Sequence, residues 1–131
     1  MNPMLALRQY QKVNGVAQTS EASPHRLVQM LMQGGLDRIA QAKGAMARND
    51  VAQRGILIGK AIGIVGGLRE GLDLENQAES LADLDSLYAY MSKRLVEANV
   101  HNDPEILNEV ARLLITVKEG WDAIGDQPAE L

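Results

Sequence analysis

The chain has 131 residues, a formal net charge of −4, no cysteine and no phenylalanine. That length is one domain's worth, able to bury about two thirds of the surface its unfolded chain would expose. The missing thiols exclude a disulfide framework and a thiolate metal site, and an acidic balance without a clustered basic face argues against a nucleic-acid binder.

The first predicted element is a weak one. Met4 to Val13 carries Leu5, Leu7 and Tyr10, and the turn-rich NGVAQTSEAS follows it, so residues 1–22 are expected to form a mobile helical arm or cap. The opening MNPMLALRQYQKV lacks the basic-then-apolar order of a secretory signal. Ser23-Pro24 then starts a long helix, because a capping side chain precedes a residue whose missing N–H costs nothing in a first turn. Asn49-Asp50 starts a second, Ser80-Leu81-Ala82-Asp83 resembles a capping box for a third, and Asp103-Pro104 starts a fourth. The expected spans are 24–47, 50–73, 80–99 and 104–124, with a bundle over 23–125 and a disordered tail over 126–131. Lys60, Arg69 and Glu70 interrupt the richest apolar stretch, so no membrane insertion is expected.

Apolar spacing supports an all-α, antiparallel up-down four-helix bundle. Leu81, Leu84, Tyr88, Met91, Leu95 and Ala98 alternate steps of three and four, as do Leu107, Val110, Leu114, Val117, Trp121 and Ile124. The first helix carries the looser row Val28, Leu31, Gly35, Ile39, Ala42 and Met46. In the second, Gly55, Gly59, Gly63, Gly67 and Gly71 fall largely opposite the large apolar residues. The row is read as slack on a solvated face; the competing reading is a bare track for another backbone.

The titratable residues offer no enzyme. His25 stands beside a helix start and His101 in the expected loop before the fourth helix, without the Glu-x-x-His pairs that bundle metalloenzymes place on their helices, and surface or capping roles are expected for both. The acids are scattered, and the glycines do not follow a strand as a phosphate loop requires. Neither catalytic residues, nor a metal, nor a cofactor is expected.

The most informative segment is LYAYMSKRLVEAN, Leu87 to Asn99. Leu84, Tyr88, Met91 and Leu95 make a seam, Leu87 and Tyr90 a second apolar shoulder, Lys93 and Arg94 a solvated outer edge, and Asn99 a helix stop. Tyr88 reads equally well as a core residue or a contact. Together with ASPHRLVQML from Ala22, the Leu72-Asp73 pair and GWDAI from Gly120, this segment resembles the flagellar secretion chaperone FliS family, in order from Tyr10 to Ile124. The chain departs from that pattern at Met32-Gln33, near Gln77-Ala78 and at Asp83, which fits a specialised paralogue or a chaperone tuned to its own flagellin.

The resemblance implies a cytoplasmic, non-enzymatic export chaperone that binds the disordered C-terminal region of flagellin and prevents early polymerisation. It further implies delivery to the export gate and an association with the anti-sigma factor FlgM. The residues expected to contact flagellin are Leu7, Tyr10, Leu87, Tyr88, Tyr90, Met91 and Leu95. Monomer and homodimer both stay open, as does a regulatory adaptor that binds a folded partner. Six methionines suit an adaptable apolar surface, although for any one of them core filling is the favoured reading.

Overall fold

A computed structural model describes residues 23–72 and 79–125. Within them run four helices: α1 Pro24–Ala47, α2 Val51–Glu70, α3 Glu79–His101 and α4 Pro104–Ile124. The predicted arm and tail, with Leu7, Tyr10, Asp73 and residues 126–131, lie outside the described residues.

Local chemistry sets the helix starts. The side chains of Ser23, Asp50 and Asp103 accept from the backbone N–H groups of Arg26, Gln53 and Glu105 at 3.1, 3.1 and 2.9 Å. Each such cap contributes about 1 kcal/mol. Pro24 and Pro104 occupy the first turns they were expected to open. Ser80 differs from its expected role, since α3 already includes Glu79.

Both short turns are built on asparagines in the left-handed region, Asn49 at φ 58° and Asn102 at φ 50°. Asparagine tolerates that conformation better than most residues. In each turn the next residue's N–H reaches back into the preceding helix, from Asp50 to the Ala45 carbonyl (2.9 Å) and from Asp103 to the Ala98 carbonyl (3.1 Å). Asn99 is therefore not the helix stop. Its side-chain oxygen accepts from Arg54 Nε at 2.9 Å, while Arg54 NH1 donates to Asn102 Oδ1 at 2.9 Å, so one arginine of α2 holds the end of α3 and its turn.

The helices pack in cyclic order, α1 on α2, α2 on α3, α3 on α4 and α4 on α1. Turns of two or three residues make the α1/α2 and α3/α4 pairs antiparallel. Cross-links at matching ends show the same for the others. Arg69, late in α2, pairs with Asp85, early in α3, at 2.6 Å, and Gln29 of α1 donates to Asp122 of α4 at 2.6 Å. The up-down bundle follows.

Much of the predicted seam lies in the core of the bundle, which also takes in Leu27, Met32, Ala45 and Ile106, while Val28, Leu84 and Val117 of the predicted rows are only partly buried. Tyr88, Met91, Leu95 and Ala98 of α3 meet Leu107, Val110 and Leu114 of α4, with Leu31, Ile39, Ala42 and Met46 of α1 and Leu57, Ile58, Ala61, Val65 and Leu68 of α2. The seam of α4 fades toward its end, where Trp121 is half-buried and Ile124 exposed. Trp121 has a different job. Its ring stacks on His25 with centroids 4.8 Å apart, its Nε1–H donates to the His25 carbonyl (2.9 Å), and His25 Nε2 donates to the Trp121 carbonyl (2.7 Å). That carbonyl lies in the last turn of α4, where carbonyls have no partner within the helix. His25 supplies one, a capping role at the far end of α4 rather than at its own helix start.

Among the described residues α2 alone is long and apolar enough to cross a membrane by length and composition; here its buried residues join the bundle core. Its glycines face away from the core, as both readings of the row require. A Cβ added at Gly55, Gly59, Gly63 or Gly67 would meet nothing within 4 Å. Gly59→Ala and Gly63→Ala are each expected to raise stability by up to about 1 kcal/mol, since alanine lowers the backbone entropy lost on folding. Urea midpoints of the single variants measure this, and a fall at either position would show that the face is occupied.

Candidate client surface

The LYAYMSKRLVEAN segment lies wholly within α3, and its helical turn divides its residues into two sets. Tyr88, Met91 and Leu95 point into the bundle and are 2%, 0% and 0% exposed. Leu87 packs half-buried at the edge of that core, and Tyr90 beside it is 41% exposed. The segment thus separates into a core row and an outer shoulder. A bound chain can touch Leu87 and Tyr90 on the closed bundle, whereas Tyr88, Met91 and Leu95 become accessible only if α3 and α4 part.

The shoulder is tied to α4 through a polar network. Tyr90 donates its hydroxyl to Glu109 Oε2 at 2.5 Å, Arg94 Nε donates to Glu109 Oε1 at 2.8 Å, and Arg94 NH1 donates to Glu97 Oε1 at 3.0 Å. Arg94 is consequently a strut between α3 and α4, where a solvated edge was expected. The hydrogen bond from Tyr90, followed by that from Arg94, holds the Glu109 carboxyl below its usual range. The same bond raises Tyr90 above the ordinary phenol value. Both carboxylate oxygens of Glu109 are engaged, so Tyr90 is held at its hydroxyl while the residue stays exposed.

Register extends this patch. With Glu109 opposite Tyr90 and Arg94, the antiparallel course of α4 places Leu113, one turn further on, beside Leu87, one turn back. Leu113 is likewise half-buried against the core. Leu87, Tyr90 and Leu113 form a short apolar strip on the α3/α4 face with the Arg94–Glu109 pair at one end.

Sequence reasoning missed a second exposed set. Val96 and Val100, one turn apart on α3, are 50% and 70% exposed, and Val51 and Ile56 of α2 are exposed as well. Periodicity hid them, because it reports the buried row and is silent about apolar residues off it. A shallow depression between α1 and α4, about 390 Å³ in volume, has a different character. Its Asp37 accepts from Gln33, and its Lys118 is paired with Asp122 at 2.9 Å, so it presents satisfied polar groups. Among the described residues no three His, Cys, Asp or Glu side chains gather as a metal site would require.

Burial pushes the Tyr88 phenol up to about 12. An unfolded tyrosine titrates near about 10, so between those values the unfolded chain releases a proton that the folded chain retains, and stability falls as pH rises. The contribution is fully present below about pH 10 and is lost by about pH 12, on the order of 2–3 kcal/mol. Urea unfolding across that interval should show a steeper loss for the unsubstituted chain than for Tyr88→Phe. Lysine titration affects both alike, so parallel curves would remove Tyr88 as the cause.

The profile of a family described as "Flagellar protein FliS" matches residues 6–128. The chain belongs to the FliS family. It is 60% identical over 124 residues to the flagellar secretion chaperone FliSB of Pseudomonas aeruginosa, covering 95% of this chain and 98% of that protein. The flagellar secretion chaperone FliS of Vibrio cholerae is 39% identical over 119 residues, with 91% and 88% covered. The Salmonella typhimurium FliS chaperone is 36% identical over 119 residues, with 90% and 88% covered. The FliS match includes Tyr10, the whole α3 segment and Trp121, the residues on which the resemblance was first read.

Proposed function

We propose that this chain is a cytoplasmic, non-enzymatic flagellar export chaperone that binds the disordered C-terminal region of flagellin. The near full-length similarity to proteins named flagellar secretion chaperones carries this reading. Physical chemistry supports it. A disordered amphipathic segment can fold onto an apolar helical surface, and the ordering cost of about 2–5 kcal/mol keeps so large a contact reversible, as hand-over for export requires. Bound in this way, flagellin is kept from polymerising early and is delivered to the export gate; FlgM is a further partner on the same reading.

Leu87 and Tyr90 are the contacts available on the closed bundle, with Leu7 and Tyr10 contributing from outside the described residues. Tyr88, Met91 and Leu95 support that surface from beneath, and reach the client where it displaces part of the α3/α4 contact. Titration calorimetry with the cognate flagellin C-terminal peptide is expected to show binding with a negative heat-capacity change and a gain of peptide helix. A folded chain that binds no cognate flagellin, yet binds a folded flagellar protein, would replace this reading with that of a regulatory adaptor.

A further inference from the structure

The Tyr90–Glu109–Arg94 network has more structure than a surface ion pair needs. An exposed Arg–Glu contact contributes little by itself, because water and salt screen it. Here the carboxylate also accepts a phenol, and that phenol belongs to a residue that is 41% exposed. A half-exposed tyrosine free to turn would lose rotamer entropy on capture by a partner, and one already tied at its hydroxyl has lost it beforehand. Tyrosine is also among the residue types that dominate binding energy at interfaces, because a rigid ring presents a large area with few torsions. Next to it, Leu87 and Leu113 are half-buried and continue the apolar strip.

We propose that Glu109, itself braced by Arg94, is a positioning residue for client binding: it fixes the Tyr90 ring in the orientation that the flagellin segment meets. This rests on the function proposed above and adds to it a residue from α4, an element from which the α3 segment alone suggested no contribution. Glu109 acts through Tyr90 and needs no contact with the client itself. Two consequences follow. Losing the acceptor should weaken binding without much effect on folding, and the loss should vanish once Tyr90 has no hydroxyl to hold.

The test is a double-substitution cycle on the full chain with the cognate flagellin C-terminal peptide as probe, read by calorimetry, with urea midpoints measured in parallel. Glu109→Ala is expected to weaken binding by up to about tenfold, the cost of immobilising on binding a side chain that is no longer held beforehand. Glu109→Gln, which keeps an acceptor oxygen for the phenol, should retain most of the affinity. Tyr90→Phe should weaken binding to a similar degree, and adding Glu109→Ala to it should change nothing further. The unfolding midpoints of all four variants should stay close together. Unchanged affinity in Glu109→Ala overturns the proposal while leaving the chaperone reading intact. So does an equal loss in the Tyr90→Phe background, which would mean that Glu109 meets the client directly. If the unsubstituted, folded chain does not bind the peptide at all, both fall.

Discussion

Tyr88→Ala is expected to destabilise the bundle by about 3–5 kcal/mol, the usual cost of emptying a large aromatic site in a core. Tyr88 is among the largest fully buried side chains, in a cluster with Met91 and Leu95 of its own helix and Leu107 and Val110 of the next. A domain of this size has only about 5–15 kcal/mol in hand, so the variant should unfold at a much lower urea concentration and lose helical signal on mild heating. Tyr88→Phe keeps the ring and should stay near the unsubstituted midpoint at neutral pH. The pair separates two roles that the sequence left equal. A client contact would lose peptide affinity at a constant unfolding midpoint, and that outcome would move Tyr88 from the core to the binding surface.

Periodicity was enough to read the bundle because its core is repetitive. Leu, Ile, Val and Met at steps of three and four define an inward row whatever the neighbouring helix contributes, and a capping residue followed by proline marks where α1 and α4 begin. What could not be read that way depends on pairs distant in sequence. Arg94 looks like a solvated residue until Glu109 arrives beside it from α4. Asn99 looks like a helix stop until Arg54 of α2 claims its side chain, and the left-handed position falls to Asn102 instead. His25 and Trp121, 96 positions apart, exchange hydrogen bonds across the bundle end in a way no local pattern announces. The same limit applies to the site. The motif names a stretch of α3, but only the fold divides it into Tyr88, Met91 and Leu95 inside and Leu87 and Tyr90 outside.

The glycines show how far context decides the sign of one substitution. Gly35 of α1 is buried, and a Cβ there would stand 3.1 Å from Leu114 Cδ2 of α4 and 3.4 Å from Ile64 Cγ2 of α2. Three helices converge on a position with room for a hydrogen and little more. Gly35→Val should therefore cost about 1–3 kcal/mol by overpacking, against the gain expected at Gly59 and Gly63. Leu114→Ala should cost about 2–5 kcal/mol, because Leu114 is fully buried and its removal leaves a cavity that the surrounding helices close only in part. The two losses share one space. A valine at position 35 can enter the volume that the leucine vacates, so the double variant should be more stable than the sum of the single effects predicts, by about 0.5–3 kcal/mol. Urea unfolding of the four proteins at one temperature measures that difference. Strict additivity would mean that Gly35 and Leu114 do not meet in solution, and that the close approach of α1 to α4 at this level is not what holds the bundle there.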